Sequence, residues 1–170
     1  MPTLKEKLSN NNLNLQKSED SESKVKKKIK AIYDLSRMGF SGAGVKKYNQ
    51  DNLFIFKNFN DDPDNIFMSV CDGHGMWGHE VSAYLRQHLP VVLNNEFKNK
   101  KISLSDSKVN KVIEETFVLL NSRLFNDATM DTNFSGSTCV SVIYSPEKII
   151  CANVGDSRAV LGRYINGSKK

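Results

Sequence analysis

The stretch IFMSVCDGHGMW, residues 66–77, begins as an apolar run and ends in Asp72-Gly73-His74-Gly75 before Met76 and Trp77. Its first half is typical of a buried β-strand, so Asp72 is predicted to project from the end of a sheet on a rigid scaffold. A carboxylate in that position is a suitable oxygen ligand for Mg²⁺ or Mn²⁺. A tight turn with an incidental histidine is the alternative interpretation.

The two glycines of this stretch suit a position that a ligand approaches closely, because glycine adopts positive φ and carries no side chain. They would also expose the carbonyl of Gly73 as a second hard ligand. His74, between them, could give or take a proton near neutral pH. The strand end is therefore predicted to combine oxygen ligands with a proton-transfer group.

The segment before this stretch predicts a partner strand. NLFIFKNF (52–59) has the composition of a strand, and the turn-forming NDDPDN (60–65) connects it to the second strand, residues 66–72. An antiparallel hairpin follows from this arrangement. Because both strands are mostly apolar, we expect the sheet to be covered on both faces.

Asp51 stands at the start of the first strand. In an antiparallel hairpin the start of one strand lies beside the end of the next, so Asp51 and Asp72 are predicted to converge at one end of the sheet. A metal site built from paired carboxylates requires this convergence. Taken alone, Asp51 could also be an ordinary turn residue.

Two helices are predicted next. Apolar residues recur at three- and four-residue intervals over 78–98, the period of an amphipathic helix, and Pro90 is expected to kink or split it. SLSDSK (103–108) supplies N-cap candidates for a second helix, whose apolar face runs from Val109 to Leu124.

The chain then returns to strand-like composition in SGSTCVSVIYS (135–145) and IICANV (149–154). Strands and helices are segregated along the sequence, which predicts an α+β fold with a mainly antiparallel sheet. The strand run breaks at GDS (155–157) before RAVLGRY (158–164), and a meander that has just begun leaves an open edge. We therefore expect a larger domain that has been cut short.

A third acid occurs in a similar context. In ANVGDSRAV (152–160) an apolar strand again ends in a Gly–Asp pair, and Ser157 and Arg158 follow Asp156. Either this is a turn with a local Asp–Arg interaction, or Asp156 helps to anchor an ion. The spacing alone leaves both interpretations open.

Composition restricts the remaining possibilities. Most of the net charge of +5 comes from residues 1–30, which carry eight lysines and four acids and are predicted to be a disordered, Lys-rich tail. No aromatic residues interleave with the lysines of KVKKKIK (24–30), so no nucleic-acid partner is expected. The N-terminal residues lack the apolar core of a signal peptide, so none is expected, and no apolar run reaches membrane-spanning length. We expect an intracellular monomer, cytoplasmic or nuclear.

Three cysteines lie far apart in the sequence, at Cys71, Cys139 and Cys151. An odd number without CxxC spacing disfavours a disulfide framework or a zinc site. Each cysteine stands inside an apolar run, and free cysteine commonly behaves as a small buried hydrophobe. Three buried thiols are therefore predicted.

Four motifs together carry a family resemblance: NQD (49–51), VCDGHGMWGHEVSAYL (70–85), SGSTCVSVI (135–143) and ANVGDSRAVL (152–161). In this order they closely resemble the metal-dependent protein serine/threonine phosphatases of the 2C type. The resemblance implies that residues 31–170 form the N-terminal part of a catalytic domain, an α-β-β-α sandwich. It also implies two Mg²⁺ or Mn²⁺ ions, with a weak third, at one end of paired sheets.

The resemblance assigns roles to individual residues. Asp51 matches a metal ligand, Asp72 matches the aspartate that bridges both ions, and Gly73 matches the glycine that binds through its carbonyl. His74 matches the proposed general acid, and Asp156 matches an aspartate associated with the third metal.

Two positions depart from the family pattern. Lys46 falls where the family often has a phosphate-binding arginine or lysine, and a lysine there replaces a bidentate fork with a point charge. Gln50 stands where many members have glutamate. The family's later acidic ligands have no counterpart in this sequence.

The function implied by the resemblance is hydrolysis of phosphoserine and phosphothreonine in proteins by a water that bridges the two metal ions. His74 would protonate the departing oxygen, and phosphoproteins would be the substrates. The alternative is a truncated, non-catalytic phosphatase-like module that binds phosphoproteins or a partner. Nucleic-acid binding through the tail is a third possibility, to be recognised by salt-sensitive affinity.

Overall fold

The computed structural model describes residues 29–40, 42, 44 and 48–163. This part of the chain contains a short 3₁₀ turn, Phe59–Asp61, two α-helices and five strands, in the order β1 (Asp51–Lys57), β2 (Ile66–His74), α1 (Gly78–Asn99), α2 (Val109–Phe125), β3 (Gly136–Ser137), β4 (Cys139–Tyr144) and β5 (Ile149–Val154). The predicted tail over 1–30 lies outside the described residues except for its last two positions. Lys46 also lies outside them.

The strands form an antiparallel sheet in the order β1-β2-β4-β5, and the short β3 pairs with the last residues of β2. The predicted hairpin is therefore present, as β1 and β2. The α+β fold with an antiparallel sheet is confirmed. Residues 158–163 adopt no regular secondary structure, so the meander does not continue beyond β5 within the described residues.

Both helices pack on one face of the sheet. Residues of β2 alternate between this buried face, which carries Phe67 and Cys71, and the opposite face, as expected for a strand with period 2. Aromatic rings dominate the core: Phe67 contacts Phe54 edge to face at 5.0 Å and Phe59 at 5.4 Å between ring centroids. The remaining large core side chains that are fully buried are Phe97, Leu89, Leu93, Leu120 and Ile143.

The opposite face of the sheet is only partly covered by the described residues. Val70, in the middle of β2, exposes 48% of its surface, and residues 32–35 border a cavity of about 410 Å³ over this face. The expectation of a sheet covered on both faces is wrong for this part of the chain. Cys151 of β5 is likewise exposed, whereas Cys71 and Cys139 are buried as predicted.

The helices depart from expectation in two details. Pro90 does not split the first helix, because α1 runs without interruption from Gly78 to Asn99 with Pro90 buried inside it. A proline at this position lacks one hydrogen bond, and burial against the sheet offsets that cost. No side chain caps α2, which Lys108 precedes; Asp106 instead accepts a hydrogen bond from the Lys108 amide at 2.8 Å.

Among the described residues, no helix combines the length and the apolar character that crossing a membrane requires.

Candidate metal and catalytic site

Two carboxylates come together at one end of the sheet. Asp51 begins β1 and lies directly opposite Asp72 in the register of β1 and β2. Burial raises the pKa of the Asp51 carboxyl above its ordinary value, and the charge of Asp72 and a hydrogen bond with its carboxyl raise this pKa further. Within the described residues, neither carboxylate has a lysine or arginine as an ion-pair partner. The arrangement concentrates negative charge at an exposed strand end.

Gly73 holds this strand end against the start of α1. It is buried, and its amide donates a hydrogen bond to the carbonyl of Gln50 at 3.2 Å. A Cβ at this position would overlap the Gly78 carbonyl and would lie 2.7 Å from the Gln50 oxygen. Only glycine permits this approach of β1, β2 and α1 without backbone movement, and it leaves the Gly73 carbonyl beside Asp72.

Hydrogen bonds from Gln50 and Ser82 tie the start of β1 to the neighbouring elements. The Gln50 side-chain amide donates to the carbonyl of Gly75 at 2.8 Å. The buried hydroxyl of Ser82, in α1, donates to the Gln50 carbonyl and accepts from the Asn52 amide at 2.9 Å. Gln50 therefore positions the loop that follows β2, a role that sequence analysis did not identify.

The residues just before β3 support the turn that follows β2. Gly75 has φ +83°, a conformation that favours glycine, and a Cβ there would overlap the Phe134 carbonyl. Ser135 accepts a hydrogen bond from the Trp77 amide at 3.0 Å, just before α1 begins. Ser135 is thus a positioning residue in this turn.

His74 lies against Gly136 at the mouth of a cavity. The two residues are paired in the register of β2 and β3, and a Cβ on Gly136 would lie 2.9 Å from Nε2 of His74. The imidazole is exposed and lines a cavity of about 460 Å³ that α1 and α2 border. A substrate approaching this end of the sheet could reach the ring.

Thr138 connects Asp72 to the third acidic segment. Its hydroxyl accepts a hydrogen bond from the Asp72 amide at 3.0 Å, and its own amide donates to the Asp72 carbonyl at 2.9 Å. The same hydroxyl is 2.6 Å from Oγ of Ser157. Gly155, at φ +98°, packs on the Thr138 side chain. Thr138 therefore links the turn after β5 to Asp72.

Asp156 is brought to this end of the sheet by its neighbour Ser157, but its carboxylate is exposed and does not join the pair. No cluster of three or more acidic, histidine or cysteine side chains suited to a metal ion is present in the described residues. The local ion pair between Asp156 and Arg158, one of the two interpretations of this segment, is not formed.

The sequence also matches a known protein family. The profile of the family described as protein phosphatase 2C matches residues 35–170. The chain therefore belongs to the protein phosphatase 2C family.

Relatives in plants extend well beyond the length of this chain. Probable protein phosphatase 2C 73 of Arabidopsis thaliana is 34% identical over 139 residues, covering 72% of this chain and 37% of the relative. Probable protein phosphatase 2C 65 of the same plant is 32% identical over 141 residues, again with 37% of its length covered. The chain thus spans little more than a third of the curated relatives it matches.

A solved structure is also similar to this chain. The PPM Ser-Thr phosphatase MsPP from Mycobacterium smegmatis, in complex with cacodylate, has 22% sequence identity and a TM-score of 0.45. The match covers 72% of this chain and 44% of that one.

Proposed function

We propose that this chain contributes acidic metal ligands to a metal-dependent site that hydrolyses phosphoserine and phosphothreonine in proteins. The observation that carries the proposal is the pairing of Asp51 with Asp72 at the exposed end of the sheet. Membership of the protein phosphatase 2C family supports the reaction class. Because the chain spans about a third of the length of its relatives, the activity is a proposal that is tested on the 170-residue chain itself.

The donor atoms fit magnesium or manganese. These cations prefer hard oxygen ligands. The site offers two carboxylates that have no lysine or arginine partner among the described residues, and the carbonyl of Gly73. Burial and the repulsion between the two carboxylates both raise the pKa of Asp51. A divalent cation bound between the carboxylates would relieve this repulsion. Asp51, Asp72 and Gly73 are therefore the groups that would hold the metal, with Asp156 as an outer contributor.

When bound, the divalent cations activate water and neutralise the charge of the phosphoryl oxygens. The chain's own contribution to bond cleavage is the imidazole of His74, which donates a proton to the serine or threonine oxygen as it leaves. The ring is exposed beside the carboxylate pair along β2 and can meet a substrate directly. Lys46 as a phosphate-binding group stays a prediction, since it lies outside the described residues.

Hydrolysis of p-nitrophenyl phosphate tests the proposal, with the rate measured in Mn²⁺ and in EDTA. We expect metal-dependent turnover that Asp72→Asn abolishes. Glu147→Gln is the matched control, because Glu147 is exposed in the turn between β4 and β5, at the opposite end of the sheet. Its turnover should equal that of the unmodified chain.

Metal binding separates the proposal from its rival. The binding is measured by calorimetry with Mn²⁺, and the same two variants are compared. A folded chain that binds Mn²⁺ through Asp72 without turnover would support the metal site and contradict catalysis by these residues alone. A folded chain that neither binds Mn²⁺ nor turns over substrate would overturn the proposal and favour the non-catalytic binding module.

A further inference from the structure

Two buried thiols face one another across β2 and β4, next to the carboxylate site. The register pairs Val70 with Val140 and Gly73 with Ser137, which places Cys71 opposite Cys139. Their exposed fractions are 0% and 3%. Both are free cysteines, and both sulfurs contact the hydroxyl of the same residue, Ser69.

The backbone geometry at this pair is that of a cross-strand disulfide. The Thr138 amide donates to the Asp72 carbonyl, as in a hydrogen-bonded pair of the ladder, while the Asp72 amide donates to the Thr138 hydroxyl instead of the carbonyl. In an antiparallel ladder the next pair is then non-hydrogen-bonded, with Cα atoms about 4.5 Å apart. Disulfides span Cα separations of about 4.4–6.8 Å. A bond between Cys71 and Cys139 therefore requires little backbone movement.

Neighbouring serines hold the sulfur atoms in place. Oγ of Ser69 lies 3.3 Å from Sγ of Cys139 and 3.8 Å from Sγ of Cys71. Ser141 contacts Cys139 at 3.5 Å and donates a hydrogen bond to Ser69 at 3.0 Å. Both sulfurs therefore lie on the same side of the sheet, next to the Ser69 hydroxyl.

A small oxidant has a route to one of the two sulfurs. Cys139 lines the cavity of about 460 Å³ that His74 also lines, whereas Cys71 does not line it and is fully buried. Hydrogen peroxide is small enough to enter a cavity of this volume. Cys139 would meet the oxidant first, and Cys71 would act as the resolving thiol.

We propose that Cys71 and Cys139 form a redox modification site, oxidised by hydrogen peroxide to a cross-strand disulfide. Cys139 attacks one peroxide oxygen, so that a sulfur–oxygen bond forms as the oxygen–oxygen bond breaks, and the other oxygen leaves as water with the thiol proton. Cys71 then attacks the Cys139 sulfur, displacing a second water with its own proton. Both sulfurs are oxidised, and one peroxide is reduced to two waters.

The test uses the 170-residue chain carrying Cys151→Ser, which removes the exposed thiol. The folded, reduced protein is treated with hydrogen peroxide, blocked with N-ethylmaleimide and digested with trypsin without reduction. We expect the peptide 58–86, which contains Cys71, to be joined to the peptide 124–148, which contains Cys139. Dithiothreitol should separate them, and the linked pair should weigh two hydrogen atoms less than the reduced peptides together.

A second variant, Cys139→Ser in the same background, must give no linked peptide and must leave Cys71 reactive toward N-ethylmaleimide after unfolding. If the folded two-cysteine chain keeps both thiols open to alkylation after peroxide, or gains only oxygen at cysteine without a cross-link, the proposal is wrong. The readout is a covalent bond, so it is independent of whether the chain binds metal or hydrolyses phosphate.

Discussion

Asp51 lies directly opposite Asp72 across the first hairpin, and the two carboxylates act on each other. Burial, the negative charge of Asp72 and a hydrogen bond to its carboxyl all raise the pKa of Asp51. Like charges held together in this way weaken a folded state unless a cation lies between them. The metal-free chain is thus destabilised by the same groups that would bind the metal.

This relationship predicts that Asp51→Asn stabilises the metal-free chain at neutral pH. Because the pKa of Asp51 in the folded chain lies above the ordinary aspartate value of 3.8, the native state holds this proton to higher pH than the unfolded state. Stability is therefore lost as pH rises from about 4 through the folded pKa. In EDTA the Tm of Asp51→Asn should exceed that of the unmodified chain at pH 7, and the difference should vanish near pH 4.

Manganese should reverse the order of these two proteins. The unmodified chain gains stability from bound Mn²⁺, whereas Asp51→Asn lacks one ligand and gains less. Glu147→Gln serves as the control and should follow the unmodified chain in both conditions. Equal Tm values for Asp51→Asn and the unmodified chain in EDTA at pH 7 would contradict the electrostatic argument.

Gly73→Ala is expected to cost about 1–3 kcal/mol of unfolding free energy, the range of overpacking in a well-packed region. The added methyl group would meet the carbonyls of Gly78 and Gln50, both backbone atoms, so β1 and α1 must separate. Manganese binding should weaken in parallel. Urea denaturation measures the first effect, and Gly39→Ala is the control because its Cβ would meet nothing within 4 Å. Equal losses in the two variants would disprove the steric account.

Thr138→Val should weaken metal binding without removing any proposed ligand. The substitution keeps the side-chain shape but deletes the hydroxyl that accepts from the Asp72 amide and contacts Ser157. The Asp72 amide then loses its partner at a partly buried position, which weakens the hold of the segment before β4 on this residue. Calorimetry with Mn²⁺ should show lower affinity for Thr138→Val and a smaller loss for Ser157→Ala, which leaves the bond to Asp72 intact. A larger loss of Mn²⁺ affinity in Ser157→Ala than in Thr138→Val would argue against the role given to the Thr138 hydroxyl.

Local patterns were sufficient to predict the hairpin. The apolar run before Asp72, the turn residues at 60–65 and the position of Asp51 are all features of a short segment, and antiparallel pairing brings their ends together whatever the rest of the chain does. The same holds for α2, whose apolar face from Val109 to Leu124 is read directly from its period.

Long-range hydrogen bonds were not predictable in this way. Thr138 reaches Asp72 across 66 residues of sequence, and Ser82 reaches Gln50 across 32. Nothing in the composition of either segment specifies the other as its partner. The prediction that the face opposite the helices is buried was wrong for a related reason, as the exposed Cys151 shows. Strand composition indicates that a face can be buried but not which element covers it.

His74→Asn separates general-acid catalysis from metal binding. A general acid contributes about 10²–10⁴-fold to rate and matters most when the leaving group is a poor one. The loss of kcat/KM should be of that size with a phosphothreonine peptide, but small with p-nitrophenyl phosphate, whose leaving group departs as a stable anion. Mn²⁺ affinity should be unchanged. His88→Asn is the control. His88 lies on α1 with its ring centroid 4.2 Å from that of Tyr84, and the variant should match the unmodified chain with both substrates. If His74→Asn lowers both rates equally, the imidazole positions the substrate and does not deliver the proton.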